Sequence, residues 1–239
     1  MDHPAPRALS IGCGWGDLDR KGYEVGLFSY CLGIDVSEGA LQIASDLAKK
    51  TGYPLEYQVA DLNNPALRDR YNAFDLVFAN ASLHHIQNLE RLFVAIDAVL
   101  KPGGMFFFHE YVGPSRFQWK PKTIEIADRI LGVLPKRLHP GGDRIRRMTY
   151  DNFSNGDPSE AVHSEEIMSI SMLFFDLLEI AEEGTTLTHP LLNDIMRYFD
   201  EDNEMEEAIL RLIFLIEEIL IQEHVLESDT KLAIFRKRA

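Results

Sequence analysis

Three glycines near the start of the chain have the spacing of a loop that binds a ligand through its backbone. Gly12, Gly14 and Gly16 follow a short apolar run, Arg7 to Gly12, at the point where a strand would turn sharply into a helix. Glycine permits such a turn, and without a side chain its backbone N–H group can approach a ligand closely. The spacing is G-x-G-x-G, which differs from the G-x-G-x-x-G of dinucleotide-binding folds.

An acidic residue follows the next apolar run and strengthens this interpretation. Asp35 lies at the end of the segment Cys31 to Val36, close after the glycine loop. A carboxylate at the end of a second strand can accept hydrogen bonds from both hydroxyls of a ribose. The loop and Asp35 together predict a ligand that contains a ribose. The alternative is that the glycines serve only a tight turn.

Side chains able to take up a proton follow two later strands. His84 and His85 come after the fourth predicted strand, and His109, Glu110 and Tyr111 end the fifth. An imidazole has an ordinary pKa near 6.5, which suits it to general-base work at neutral pH. Neighbours on a strand point to opposite faces, so at most one of His109 and Glu110 reaches the site, and Tyr111 shares the face of His109. We therefore predict His85, His109 and Tyr111 as catalytic candidates. The alternative for His84 and His85 is that an imidazole only forms hydrogen bonds with backbone groups of the loop.

The cysteines indicate no further chemistry. Cys13 and Cys31 are too few for a disulfide framework, and Cys13 within the glycine loop has the character of a small packing residue. No His/Cys cluster shows the spacing of metal ligands, so the sequence predicts no metal site.

Alternating apolar runs and helical patterns predict the elements that position these residues. Apolar strands separated by helices indicate a parallel sheet covered on both faces, and right-handed crossovers make it doubly wound. One clear helix, Leu89 to Lys101, should be stopped by the Pro102-Gly103-Gly104 turn. After residue 115 we predict helices over 122–134, 164–175 and 204–226, a strand over 177–186 and an edge strand over 230–235. The domain interpretation is a core over 1–115, a helical and loop insertion over 116–175 that serves as lid or substrate-binding part, and a completing segment over 176–239.

The order of these motifs resembles class I S-adenosylmethionine-dependent methyltransferases. The resemblance rests on Leu9 to Gly16, Gly33 to Ser37, Val59 to Asp61, Phe74 to His85 and Leu100 to Gly104. It covers roughly the first half of the chain, and the LKPGG segment is particularly typical of the family. It implies an α/β fold with a doubly wound, mostly parallel, Rossmann-like sheet of seven strands and a helical insertion before strand six. It also implies S-adenosylmethionine as the cofactor.

The resemblance also implies which residues hold that cofactor. The implied site consists of Gly12, Cys13, Gly14, Gly16, Asp35, Val36, Asp61, Leu62 and Asn80. The glycines would line the methionine half, Asp35 would hold the ribose and Val36 would pack against the adenine. Asp61 matches the position whose carboxylate meets the adenine amino group, and Asn80 the position whose backbone faces the methionine ammonium. For Asp61 the alternative is a loop carboxylate that caps the segment Pro65 to Arg70.

Composition and one absent motif limit the classes of methyl acceptor that we expect. The chain has 239 residues with 24 Lys and Arg against 38 Asp and Glu, a net charge of −14, which argues against a nucleic-acid coat. Residues 80–83 also lack the Asn/Asp-Pro-Pro-aromatic motif of methyltransferases that act on amino groups of bases or glutamine. We therefore expect methyl transfer to a small-molecule or sugar-like acceptor. A basic cluster favours an anionic one, unless it is only a solvated loop: Lys136, Arg137, Arg144, Arg146 and Arg147.

Two other functions remain open from the sequence. A nicotinamide-dependent oxidoreductase shares a similar sheet, but the GCGWG and LKPGG segments count against it. A catalytically silent cofactor-binding or assembly subunit is favoured by a first strand that starts at about Arg7, which leaves no N-terminal helices to close over a substrate. The helix after the glycine loop is also interrupted, by Gly22 and Gly26.

The late helix suggests a partner. Apolar residues cover well over half the circumference of residues 204–226, whereas a one-sided helix needs a stripe only somewhat wider than about 100°. We expect this helix to be buried on two sides. The sheet would cover one side, and either the insertion or a second subunit would cover the other. A second subunit would make the protein a homodimer. The chain shows no signal peptide and no apolar stretch of about 20 residues, so we expect a cytoplasmic protein without a membrane partner.

Overall fold

The computed structural model describes residues 6–65, 67–147, 149, 156–200 and 202–238. Within these ranges the strands are β1 Arg7–Ile11, β2 Tyr30–Asp35, β3 Leu55–Val59, β4 Phe74–Asn80, β5 Leu100–Tyr111, β6 Phe175–Glu182 and β7 Thr230–Lys237. The α-helices are α1 Asp17–Glu24, α2 Glu38–Thr51, α3 Leu89–Val99, α4 Pro121–Leu131, α5 Ile167–Phe174, α6 Thr188–Leu192 and α7 Glu204–Gln222.

These strands form one sheet of seven in the order β3-β2-β1-β4-β5-β7-β6. The first five pair in parallel, and β7 runs antiparallel to both β5 and β6. The predicted seven-stranded, mostly parallel sheet with helices inserted before strand six is therefore confirmed. All five parallel strands bring their carboxyl ends to one edge, where ligands bind in folds of this kind.

The prediction that the last strand lies at the edge is wrong. Strand β7 is inserted between β5 and β6, and its Ala233 and Phe235 are fully buried. The edge position belongs to β6, of which only Phe175 is buried. A terminal position in the sequence carries no information on the position in the sheet, whereas the buried alternate residues of β7 fit an interior strand.

Local signals set the helix boundaries. The Ser37 hydroxyl accepts a hydrogen bond from the Ala40 N–H, so Ser37 caps α2 as predicted. Helix α3 is capped by Asn88 and ends at Val99, two residues earlier than predicted. The LKPGG segment then forms the start of β5 rather than the last turn of the helix, with a register irregularity against β4.

The buried apolar residues form separate clusters, of which one packs against the sheet and another lies among the later helices. The main core includes five phenylalanine rings between the sheet, α3 and α5: Phe93, Phe106, Phe108, Phe175 and Phe235. A second cluster joins α4, α6 and α7 through Ala127, Leu191 and Ile213, and none of its members among the described residues belongs to a strand. The expectation that the sheet buries one side of the late helix is therefore wrong, because helices α4 and α6 take that place.

None of the described helices combines the length and the apolar character needed to cross a membrane.

Candidate functional site

The glycine loop connects β1 to α1 and is packed too tightly for side chains at two positions. Gly12 and Gly16 have positive φ values of 64° and 69°. A Cβ atom on Gly12 would lie 2.3 Å from the Cβ of Ser82, and one on Gly16 would lie 2.2 Å from the phenolic oxygen of Tyr57. A Cβ on Gly14, in contrast, would meet no atom within 4 Å. The loop is thus closed on its inner side and open at Gly14.

Asp35 is held in place by the loops on both sides of it. Its Oδ2 accepts a hydrogen bond of 2.8 Å from the Gly14 N–H, and its Oδ1 accepts one of 2.8 Å from the Ser37 N–H. A carboxylate offers about four lone-pair positions, so both oxygens can accept a further hydrogen bond. The neighbouring Val36 is 70% exposed and presents an apolar surface beside the carboxylate.

The residues predicted after β3 and β4 occupy the same edge of the sheet. Asp61 Oδ1 accepts a hydrogen bond of 2.9 Å from the Asn63 N–H, a local turn rather than a cap on residues 65–70. Leu62 is buried. The Asn80 side chain is exposed, and its Oδ1 lies 3.2 Å from His109 Nδ1.

Cys13 is a free, partly buried cysteine within the glycine loop. Burial raises the pKa of its thiol far above the usual range, so the group stays protonated. The thiol points toward the Gly14 carbonyl at 3.8 Å.

A buried glutamate organises the loop after β4. The Glu110 side chain is 1% exposed, and its Oε1 accepts hydrogen bonds from the N–H groups of Ser82 and of Leu83, the latter at 2.6 Å. Its Oε2 lies 2.7 Å from His84 Nδ1. The Ser82 hydroxyl donates to the Ile11 carbonyl at 2.9 Å. These contacts fix the histidine pair and connect its loop to the end of β1.

The two histidines face a carboxylate from the segment before α5. His84 Nε2 lies 3.6 Å from Glu160 Oε1, and His85 Nε2 lies 3.7 Å from Glu160 Oε2. His85 Nδ1 is 3.0 Å from the Ser159 hydroxyl. The two imidazole rings are 4.2 Å apart. The loop after β4 and the segment 157–160 therefore build one cluster.

The other two catalytic candidates have different surroundings. His109 uses both ring nitrogens, because Nε2 is 2.7 Å from Glu183 Oε2 and Nδ1 contacts Asn80. The Tyr111 hydroxyl donates to the Pro114 carbonyl at 3.1 Å, and burial raises the pKa of Tyr111 far above its usual value. Its ring packs edge-on against Phe117. Tyr111 is therefore packed in place and retains its proton at neutral pH.

Comparison with known proteins covers part of the chain. Residues 9–108, fewer than half of the 239, match the family model described as a methyltransferase domain. This segment is therefore similar to methyltransferase domains.

The individual proteins to which the chain is similar are distant. A ubiquinone biosynthesis O-methyltransferase of Coxiella burnetii is 28% identical over 138 residues, which cover 58% of this chain and 56% of that protein. The match thus spans little more than half the length of that relative.

Solved structures share the fold over nearly the whole chain. A methyltransferase from Mesorhizobium loti has a TM-score of 0.58 and 20% identity and covers 98% of this chain and 92% of that one. Phosphoethanolamine N-methyltransferase 2 of Haemonchus contortus, in complex with S-adenosyl-L-methionine, has a TM-score of 0.59 and 19% identity and covers 100% of this chain and 50% of that one. At these identities the likeness shows the fold.

The basic cluster lies outside residues 9–108, and the structure divides it. Lys136 pairs with Asp143, and Arg137 pairs with the buried Glu206 at 2.5 Å. Arg144, Arg146 and Arg147 instead line a cavity of about 640 Å³, and Arg147 also donates to the Trp119 carbonyl at 2.9 Å. Residues that the sequence did not single out also line this cavity, among them Trp119, Asn193 and Arg197.

Sequence reasoning missed the carboxylates that complete the site. Glu160 and Ser159 meet the histidine pair from about 74 residues further along the chain, and no local pattern marks them. The sequence placed Glu110 on the strand face opposite His109, but its role in holding the loop after β4 was not predicted. A side chain's contacts across such separations depend on the packing of whole elements.

Proposed function

We propose that this chain transfers a methyl group from S-adenosylmethionine to a small-molecule or sugar-like acceptor that carries an anionic group. The observation that carries the proposal is the link between the loops after β1 and β4. The Ser82 hydroxyl, 2.9 Å from the Ile11 carbonyl, joins the glycine loop to the loop of the histidine pair. The glycine loop that would bind the cofactor and the histidines that can take up a proton therefore lie next to each other, at the carboxyl ends of the parallel strands.

The residues at this edge fit the cofactor. The open side of Gly14 gives room for the methionine half, and Asp35 has acceptor positions left for the ribose hydroxyls. We place the adenine against Val36, near Asp61 and Leu62, and the methionine ammonium at the backbone of Asn80. When bound, the cofactor supplies a methyl carbon on a sulfonium, and this bond to sulfur breaks as the bond to the acceptor forms.

A hydroxyl acceptor also needs a group that takes up its proton, and His85 is the best placed. Ser159 fixes its Nδ1, and about a third of the side chain is exposed toward solvent. His109 is a weaker candidate because both of its nitrogens already have partners. Tyr111 contributes shape to the acceptor site rather than a base.

An assay with a panel of acceptors tests the proposal. The protein is incubated with S-adenosylmethionine and with phenols, sugars or phosphate-bearing alcohols, and the S-adenosylhomocysteine that forms is measured. With a responsive acceptor, we expect His85→Ala to lower kcat by about 10²- to 10⁴-fold, the usual contribution of a general base. The matched variant His109→Ala should stay within a few-fold of the wild type. Wild-type kcat in His85→Ala would contradict the assignment of the base.

The arginine-lined cavity supports an anionic acceptor. Arg144, Arg146 and Arg197 contribute to its wall, and guanidinium groups bind phosphate or carboxylate through paired hydrogen bonds. The phosphoethanolamine N-methyltransferase that shares the fold acts, by its name, on a phosphate-bearing substrate. We take the segment 116–175 as the insertion that contributes this substrate-binding part, between a core over 1–115 and a completing segment over 176–239.

A homodimer through α7 is the second part of the proposal. The helix buries one face through Glu206, Ile213 and Glu217. On the opposite face an exposed apolar stripe follows a 3–4 spacing: Met205, Ala208, Leu212, Leu215 and Ile219. This is the spacing of a helix-to-helix seam, and a two-fold axis lets the same stripe pack against its own copy.

The same stripe favours the alternative function, a catalytically silent cofactor-binding or assembly subunit. Cofactor binding without turnover of any acceptor in the panel would support that alternative. We further propose a cytoplasmic location. We also propose that the chain has no nucleic-acid partner, which the net charge of −14 supports.

A further inference from the structure

We propose that His84, His85 and Glu160 bind a divalent transition-metal ion at the end of β4. One ligand atom from each residue lies within 4.8 Å of the others, on two segments that the fold brings together. The inference goes beyond the proposed methyl transfer and does not depend on it.

The distances fit ligands around an ion better than they fit hydrogen bonds. His84 Nε2 and His85 Nε2 lie 3.6 Å and 3.7 Å from the two Glu160 oxygens, which is too long for a good hydrogen bond. Two ligand atoms that each lie about 2.0–2.1 Å from a tetrahedral ion are about 3.3 Å apart. The three ligand atoms lie within 4.8 Å of one another, so closing the cluster on an ion requires them to approach by up to about 1.5 Å.

Both histidines have the outer hydrogen-bond partners that metal-binding imidazoles use. The Glu110 carboxylate lies 2.7 Å from His84 Nδ1 and accepts a hydrogen bond from the N–H at that nitrogen, which leaves the Nε2 lone pair directed at Glu160. His85 Nδ1 is held by the Ser159 hydroxyl, with Asp157 Oδ2 at 3.4 Å. Such contacts fix the tautomer and the ring orientation of a ligand.

The ligand set indicates the class of ion and its use. Two imidazoles and one carboxylate suit Zn²⁺, Co²⁺, Ni²⁺ or Fe²⁺ better than Mg²⁺ or Ca²⁺. The side chains of His85 and Glu160 are 32% and 31% exposed, so a fourth position opens to solvent. An acceptor hydroxyl bound there would lose its proton to water at a lower pH than a free hydroxyl does. In that state His85 holds the ion instead of acting as a base.

The predicted absence of a metal site rested on sequence spacing, which this cluster does not follow. Only His84 and His85 are neighbours in sequence, and the carboxylate comes from the distant segment before α5. No spacing rule for zinc fingers or similar motifs detects such a site.

Titration of the full-length, chelator-treated protein with Co²⁺ tests the inference without cofactor or acceptor. We expect one Co²⁺ per chain, with the visible absorption of a four-coordinate ion, competition by Zn²⁺, and a Zn²⁺-dependent rise in Tm. Glu160→Gln should weaken Co²⁺ binding by at least about 10-fold, as losses around metal ligands commonly do.

The exposed pair His163 and Glu166 provides the matched control. Its nitrogen and oxygen are 3.6 Å apart, like those of the proposed site, but it lacks the second histidine. His163→Ala and Glu166→Gln should bind Co²⁺ as the wild type does. The inference is overturned if wild-type protein binds no stoichiometric Co²⁺, or if Glu160→Gln binds it unchanged while its unfolding shows an intact fold.

Discussion

Asp19 shows how burial changes the chemistry of a single residue beneath the glycine loop. Its side chain is 1% exposed, faces the hydroxyls of Ser10 and Tyr57, and burial raises its pKa from the ordinary 3.8 to about 6. The folded state therefore holds a proton that the unfolded chain has lost between these two values. Stability should fall as the pH rises through this window and then stay level.

We expect Asp19→Asn to remove this pH dependence. Because the shift is about two pKa units, the free energy of unfolding of wild type relative to the variant should fall by roughly 3 kcal/mol between pH 3.5 and 7.5. Urea unfolding at several pH values measures it. Asp46→Asn on the exposed face of α2 is the control, and an Asp19→Asn difference that stays constant with pH would show that the carboxyl is not perturbed.

For single residues, the sequence predicted the strand face or the loop in which a residue lies better than it predicted the residue's hydrogen-bond partners. Alternation along β5 correctly placed Glu110 away from the face of His109, and the glycine loop was located by composition. The contacts of Glu110 with Ser82, Leu83 and His84 span 26 to 28 residues and arise only when β4 and β5 pair. Hydrogen bonds between distant segments leave no local pattern to detect.

Among the elements, α7 is where prediction and structure differ most. The apolar pattern predicted burial on two sides, and the structure buries one side against α4 and α6 while the stripe Met205 to Ile219 stays exposed. Helical periodicity tells that a face is apolar but not which element covers it. The same holds for β7, whose apolar pattern did not specify its neighbours.

The exposed stripe gives a prediction for the association state. Leu212→Glu with Leu215→Glu should leave a folded monomer at concentrations where the wild type sediments as a dimer, since charges would face each other across the two-fold seam. Phe214 is an equally exposed apolar residue that lies beside the stripe. The variant Phe214→Glu should therefore remain a dimer. A wild-type monomer at high concentration would exclude the seam.

Across the whole molecule, charge is distributed unevenly. A chain of net charge −14 nevertheless lines one cavity with Arg144, Arg146 and Arg197. The order of the motifs predicted the sheet and its helices, because strand and helix periods are local. It did not predict this cavity, because Arg197 and Asn193 join it from a segment without any basic pattern.

That cavity should bind a small phosphate ester. We expect phenyl phosphate to bind in a salt-dependent manner, and Arg144→Gln or Arg197→Gln to weaken it by about 10-fold, the value of one charge-assisted hydrogen bond. Lys49→Gln, on an exposed turn of α2, removes the same charge elsewhere and should have no effect. Equal weakening in all three variants would indicate only a long-range charge effect.

The most direct test of the central claim is calorimetric titration of the protein with S-adenosylhomocysteine. We predict one site per chain in the wild type and no measurable binding to Gly12→Ala, whose Cβ would lie 2.3 Å from the Cβ of Ser82. Gly52→Ala has the same strain at φ 72° but open space around it, and should bind as the wild type does. Absence of binding to the wild type, or unchanged binding to a folded Gly12→Ala, would contradict the account.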